Sequence, residues 1–335
     1  MNVATVRSRT PVTEALRDIQ APVRERLELV VTEMQRIVSS DLPMIESVSG
    51  HLLQMRGKMF RPTLGLLASE IEGAPQPRAI TVAAVIELMH LASLVHDDSV
   101  DHSVLRRGMP TVNSLFSHQV SVIMGDFLYA RALSALVALG DLELLRIVTR
   151  VSGELTMGEM QQLAAVDTLS FTEQGYYELI RAKTASLLSA ACETGALCGG
   201  ARHSEAMRLY GERLGMAFQV ADDILDYTED SATTGKPSGL DLKEHKVTLP
   251  LIAVLPSLGA TQRQQVDRLF ATEIPDEQLV AEVVAIVTDA GGIDIARRRG
   301  EQFAQEAEEA LDGIPDGPAR AALADAIAYV MDRRW

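Results

Sequence analysis

The sequence predicts an all-α protein, a single-domain helical bundle around a deep central cavity. Three observations carry that expectation. Apolar residues recur at helical spacing almost throughout. Sustained two-residue alternation and Asn-Gly hairpin turns are both missing from the sequence. Aromatics make up only 4% of a chain rich in Ala, Leu and Val, which favours helix over strand, and the 47% of hydrophobic residues can fill a sizeable core.

Gly and Pro clusters divide the chain into helices. EGAPQP (72–77) separates an early helix from a long one near 79–105, and RRGMP (106–110) ends the latter. Further breaks fall near Gly140, at CGG (198–200), at TTGKPSG (233–239), at LPSLG (255–259) and at DGIPDGP (312–318). This spacing gives about ten to thirteen helices. No Ser/Gly tract or long charge run marks a linker, so all 335 residues read as one domain, with 1–20 a loosely ordered leading segment.

The net charge of −15 repels nucleic acid and anionic membranes, so an anionic substrate needs local cations to enter. Cys192 and Cys198 show neither metal-binding spacing nor a disulfide framework and read as core thiols. The opening MNVATVRSRTPVTEALRD has no apolar core of a signal peptide, and no run of 18 apolar residues occurs. The expectation is a cytoplasmic protein without a transmembrane segment.

Two acidic clusters stand inside apolar helical windows. Asp97, Asp98 and Asp101 follow LASLVH, and Asp222, Asp223 and Asp226 follow GMAFQVA, both with the pattern Asp-Asp-x-x-Asp. On a helix, residues i and i+4 share a face, so each cluster presents its carboxylates together. A solvated acidic face fits two such clusters poorly. Carboxylates about 4 Å apart repel by on the order of 4 kcal/mol at an effective dielectric near 20, and a hard cation relieves this. Mg²⁺ is held by one or two carboxylates plus substrate phosphates, so two facing clusters can grip a diphosphate. A structural or calcium-only role is the alternative; an EF-hand is excluded because its Gly and closing Glu are missing.

Cations for such an anion are available. Arg56, Lys58 and Arg61 lie in RGKMFRP, and Arg106 and Arg107 follow the first cluster. Lys183 and Thr184 open the apolar stretch KTASLLSAAC, where a buried Lys needs a partner such as phosphate. Lys236 lies in the TTGKPSG loop and Lys246 in DLKEHKVTLP after it, and His90 lies nearly two turns before Asp97 on the same face. His96 reads as structural. Any one of these taken alone is most often an ordinary surface or packing residue.

The order of these motifs resembles the trans-isoprenyl diphosphate synthases, the polyprenyl synthetase family, from about residue 50 to 250. The residues that carry the likeness are the two aspartate motifs with RRGMPTVN, GDFLYARA, KTASL, GMAFQVADDILDY and GKPSGLDLKEHKVTLP. The resemblance implies the isoprenoid synthase fold, a homodimer, and about three Mg²⁺ ions once diphosphate is bound. It implies head-to-tail joining of an allylic diphosphate to isopentenyl diphosphate. Asp97, Asp98, Asp101, Asp222, Asp223 and Asp226 would hold the metal. Arg106, Lys183 and Lys246 would contact the allylic diphosphate, with Lys236 and Gln219 beside it and Thr184 near the ionising carbon. Lys58, Arg61, His90 and Arg107 would take isopentenyl diphosphate. The first basic motif departs from the family pattern, with Arg56 in place of Gly and Met59 in place of Arg.

Short-chain members of the family place aromatic residues just before the first aspartate motif, as a floor. Here the small Ala92 and Ser93 stand there, with Met89, Ile86 and Val85 further down the helix. The expected product is therefore a linear all-trans chain of roughly thirty to fifty carbons. A floor made by Phe127, Leu128 or Tyr129 from another helix, giving fifteen to twenty-five carbons, is the competing expectation. A class I terpene cyclase or head-to-head condensing enzyme is disfavoured by the isopentenyl diphosphate residues. A non-catalytic partner subunit is disfavoured by the six intact aspartates.

Overall fold

The computed structural model describes residues 12–55, 57–73, 76–164, 168–228 and 238–332. They form helices throughout, apart from one two-stranded hairpin. Three helices make the centre. Helix α10 (Ser186–Gly199) packs against α4 (Phe60–Glu70) on one side and α11 (Ser204–Thr228) on the other. The approach of α10 to α4 is close enough that a Cβ at Gly195 would lie 2.1 Å from the Gly65 carbonyl oxygen, so only Gly fits there. Helix α5 (Arg78–Val100) lies along α7 (His118–Ala138), and α2 (Arg24–Val38) packs on α5. The core they enclose is aliphatic; the fully buried Tyr210 donates its hydroxyl to the Leu323 carbonyl at 2.7 Å.

The expected breaks near Gly140, at 198–200, 255–259 and 312–318 are all found. Helix α5 ends at Val100, five residues short of the expected 105, because the chain then turns into a hairpin: Leu105–Arg106 pairs with Met109–Pro110. Its two-residue turn places Arg107 (φ 53°) and Gly108 (φ 74°) in the left-handed region, the signature of a type I′ turn. An Arg in the first position hid this turn from a search for Asn-Gly. Short helices such as α6 (Val112–Leu115), Leu240–Lys243 and Leu249–Val254 make the helices more numerous than expected. Within the segment expected to be loose, Val12–Gln20 is helix α1, which buries Ile19 and docks on the last helix, Pro318–Met331.

Contrary to the expectation from apolar runs, α5 and α7 are long and apolar enough to cross a membrane by length and composition, with mean hydropathies of 1.7 and 1.5. In the fold they pack on one another, and α5 is two-thirds buried within the protein over that window (67%).

Helix α9 (Glu173–Ile180) runs directly into a π-turn, Arg181–Ala185, and on into α10. Thr172 caps its start by accepting from the Gly175 amide at 3.1 Å. Such wide turns are concentrated at functional sites, and this one holds Lys183 and Thr184.

Candidate active site

The first acidic triad closes α5. Asp98 is buried (3% exposed) and accepts from Arg106 Nε at 2.7 Å, a contact made possible by the hairpin, which folds Arg106 back over the helix end. Asp97 is half-buried. Burial, helped by Glu159 and Asp101 and opposed by Lys183, pushes its carboxyl up to about 6. Asp101 is exposed at the helix terminus, where its amide donates to the Asp97 carbonyl.

The second triad lies in the last turns of α11. Asp223 is buried (4% exposed), with Tyr176 Oη donating at 2.5 Å and Gln219 Nε2 at 2.8 Å. Burial and the nearby Asp241 hold it well above the usual carboxylate range. Asp226 accepts from the Leu240 and Asp241 amides at 3.0 and 3.1 Å, which ties the 239–246 segment to α11. Asp222 is exposed. Asp98, Asp223 and Asp226 are engaged by protein donors; Asp101 and Asp222 are exposed, and Asp97, like Asp226, is half-buried. Tyr176→Phe is expected to destabilise the protein by about 1–3 kcal/mol, because it removes a donor from a buried carboxylate. Chemical denaturation would measure it.

Cations join the two triads. Lys246 Nζ donates to Glu244 at 2.7 Å, and its charge is favoured by Asp241 and, from the first triad, by Asp101. Asp241 is raised to about 7, by burial first and then by Asp226, with Lys246 opposing. Thr184 Oγ1 donates to Gln219 Oε1 at 2.8 Å, and Gln219 passes the chain on to Asp223. Lys183 differs from its sequence reading. It has partners within the protein: Glu159 at 2.8 Å and Gln162 at 2.6 Å, both from helix α8 (Leu142–Ala164). Those partners lie far away in sequence and gave no signal.

Among the described residues no group of three or more His, Cys, Asp or Glu side chains is gathered closely enough to hold a metal alone. The donor set still suits a hard cation that shares its ligands with a phosphate: oxygen donors only, with Asp97 and Asp241 both raised by burial first and then by acidic neighbours.

A second basic pocket lies behind the first triad. Burial raises the carboxyl of Glu87 (3% exposed), a residue that sequence reasoning missed, and the charges of Arg61 and Arg107 oppose that rise. Arg107 Nη1 donates to the Met55 carbonyl at 2.9 Å, and its guanidinium lies against Gly57, where a Cβ would stand 2.5 Å from it. His90, one turn beyond Glu87, is held well below its usual range by burial and by Arg61, Arg107 and Arg106, so it is neutral near pH 7. Lys58 Nζ lies 5.8 Å from the ring centre of Tyr329 on the last helix. Met59, which replaces a basic residue of the family pattern, is buried (9% exposed) with left-handed backbone and packs in the core. Arg56 and Lys236 lie outside the described residues, as does the terminal Arg333-Arg334-Trp335.

The polyprenyl synthetase family model matches residues 42–287. The chain belongs to the polyprenyl synthetase family. It is 38% identical to the all-trans-nonaprenyl-diphosphate synthase (geranyl-diphosphate specific) of Rhodobacter capsulatus, over 94% of this chain and 97% of that one. A crystal structure of a decaprenyl diphosphate synthase from the same organism superposes with a TM-score of 0.90 at 34% identity, covering 96% of this chain and 99% of that one. A polyprenyl synthase from Caulobacter crescentus, solved with calcium and isoprenyl diphosphate, gives 0.87 at 33% identity, covering 98% and 100%. The reading of the sequence as a prenyltransferase with an all-α fold holds.

In this polyprenyl synthetase the residues beneath the first triad carry no aromatic ring. Ala92 and Met89 have no exposure, and Ser93 is half-buried with its hydroxyl donated to the His90 carbonyl at 2.9 Å. Tyr129 on α7 stacks on His96 at 6.4 Å and lies near Asp97, whose charge helps raise its phenol. His96 contacts the Val122 carbonyl at 3.1 Å and packs against α7, in keeping with a structural role. A cavity of about 680 Å³ lies between α2 and α3 (Pro43–Gln54) and is lined by residues such as Gln35, Glu46 and Ser49 rather than by the triads.

Proposed function

We propose that this chain joins an allylic diphosphate to isopentenyl diphosphate, head to tail and repeatedly, to give a linear all-trans polyprenyl diphosphate of roughly thirty to fifty carbons. What supports the single site is the π-turn, whose Thr184 reaches Asp223 through Gln219 while its neighbour Lys183 opposes the rise of Asp97 in the other triad. The relatives named for nonaprenyl and decaprenyl products fall within this range.

In this reading Asp97, Asp101 and Asp222 hold Mg²⁺, with Asp98, Asp223 and Asp226 fixing the frame around them. The bound metal supplies Lewis-acid stabilisation of charge on the departing diphosphate. Lys183, Lys246 and Arg106 add fixed positive charge to the same group, so the allylic carbon–oxygen bond breaks heterolytically and both electrons leave with oxygen. Lys183 must exchange Glu159 and Gln162 for phosphate oxygens as substrate binds. Lys58, Arg61, His90 and Arg107 hold isopentenyl diphosphate so that its double bond faces the allylic carbon. The alkene attacks that carbon, and the proton then lost passes to the released diphosphate. Thr184 and Gln219 line the approach to the ionising carbon, with Lys236 beside the diphosphate. Apolar walls under the triads keep water from the cation.

A homodimer in the cytoplasm, with the whole chain as one domain, belongs to the same proposal. The exposed apolar run Leu115, Phe116, Val122 and Ile123 across α6 and α7 supports a contact between copies there.

Purified protein with Mg²⁺, isopentenyl diphosphate and farnesyl or geranylgeranyl diphosphate is expected to yield longer polyprenyl diphosphates, resolved by chromatography against length standards. Chelation by EDTA is expected to abolish product, and added Mg²⁺ to restore it. Absence of turnover with every allylic primer would sink the proposal.

A further inference from the structure

The turn that carries Lys58 into α4 has an uncommon backbone. Met59 is left-handed (φ 54°, ψ 35°), a conformation that a non-glycine residue keeps only where its surroundings enforce it. Carbonyls along this turn are taken by donors from several elements. Arg107 Nη1 meets the Met55 carbonyl at 2.9 Å, and Thr63 meets that of Met59 through its amide at 3.0 Å and its hydroxyl at 2.7 Å. The Lys58 carbonyl accepts from Gln20 Nε2 at 2.9 Å, and the same nitrogen donates to Thr63 Oγ1 at 3.2 Å. A carbonyl only accepts, so Gln20 must present the nitrogen of its amide here. Gln20 is half-buried at the end of α1, the helix that Ile19 anchors and that docks on the last helix. The last helix in turn brings Tyr329 beside the Lys58 ammonium and, at 5.7 Å, the Phe60 ring. Both helices lie outside residues 42–287, the span that the family model matches.

We infer that Gln20 is a positioning residue for isopentenyl diphosphate: its amide pins the Lys58 carbonyl to the Thr63 hydroxyl and so fixes where the turn presents Lys58 and Arg61. The Lys58 carbonyl belongs to the rigid peptide plane that joins Lys58 to Met59. Rotation of that plane changes ψ of Lys58 and φ of Met59 together, and swings Lys58 relative to Arg61 in the first turn of α4. Gln20 bonds to both sides of this pivot, to the carbonyl just before Met59 and to a side chain of the helix just after it. Its own backbone is fixed, because α1 passes directly into the tight turn Ala21–Val23 and then α2. The left-handed Met59 is thus enforced from outside the turn, by an element that touches no charged group of the pocket itself. The inference rests on the assignment of this pocket to isopentenyl diphosphate made above.

Gln20→Ala is expected to raise the KM for isopentenyl diphosphate about threefold to tenfold, the scale of one lost neutral hydrogen bond. The KM for the allylic primer should change by less than about twofold. Gln20→Glu keeps the length of the side chain but, when ionised, has no proton to donate, and is expected to act as Gln20→Ala does. Ile19→Val is the control. It loosens the packing of α1 and leaves the amide in place, so it should lower the melting temperature without raising either KM. A Gln20 that only braces the fold would lower the melting temperature of Gln20→Ala and leave the KM for isopentenyl diphosphate at its wild-type value, and that result overturns the inference. An equal rise in both KM values overturns it too, as does an Ile19→Val protein whose KM for isopentenyl diphosphate rises as far as that of Gln20→Ala. If Gln20→Ala does not fold, Gln20→Glu decides: a raised KM supports positioning and a wild-type KM overturns it. An inactive wild-type protein would instead refute the proposed function, so the two failures are distinguishable.

Discussion

Asp97→Ala and Asp222→Ala are each expected to lower turnover by at least about a hundredfold while leaving the helical fold intact. The basis is the contrast within each triad. Asp98, Asp223 and Asp226 are engaged by protein donors, and their loss would disturb packing as well as chemistry. Asp97 is half-buried and Asp222 exposed, so an alanine at either leaves the packed core intact. Asp97 also gives a second, opposite readout. Its carboxyl is raised from 3.8 to about 6 in the folded protein, chiefly by burial. The stability this group lends is thus fully present below about pH 4 and lost as pH rises through about 6. Asp97→Asn is therefore expected to stabilise the metal-free protein at about pH 8, by on the order of 1–2 kcal/mol after allowance for solvent screening. The difference should fade in acid. Steady-state rates and thermal melts at two pH values check both halves, and a destabilised, fully active Asp97→Asn would contradict both.

Ala92→Phe is expected to shorten the product by several isoprene units. Ala92 has no exposure and lies five residues before Asp97, with Met89 equally buried one turn further down. A benzyl side chain there fills space that a growing chain would need. Overpacking of a buried position also costs about 1–3 kcal/mol, so a lower melting temperature should accompany the change. Products separated by chain length provide the measurement. An unaltered length distribution from a folded, active variant would show that the floor lies elsewhere, with Tyr129 beside Asp97 the next residue to test.

The helical architecture and both aspartate motifs were legible in the sequence because their signals are local. Helical spacing, Gly/Pro breaks and Asp-Asp-x-x-Asp each lie within one short window. What escaped was non-local or conformational. Glu159 and Gln162 meet Lys183 across more than twenty residues, and Tyr176 meets Asp223 across 47. No single-chain pattern announces such pairs. Glu87 was hidden for another reason. One charged residue in an apolar helix looks like an ordinary surface position until the fold shows both faces covered. The hairpin at 105–110 was missed because its turn uses Arg107, a residue that rarely adopts left-handed backbone. The π-turn has no sequence signature at all.

That wide turn lets a single rod satisfy two masters. Upstream, the angular phase of the rod is fixed by Tyr176 reaching Asp223. Downstream it is fixed by Gly195 nesting against the backbone of Gly65, where no side chain fits. A regular helix allows one phase only, so improving either contact would spoil the other. The extra residue between them works as an angular spacer, and Lys183 sits within that turn. Substitutions that tune the hydrophobic seam can thus accumulate on one side without twisting the acid-bearing side out of alignment.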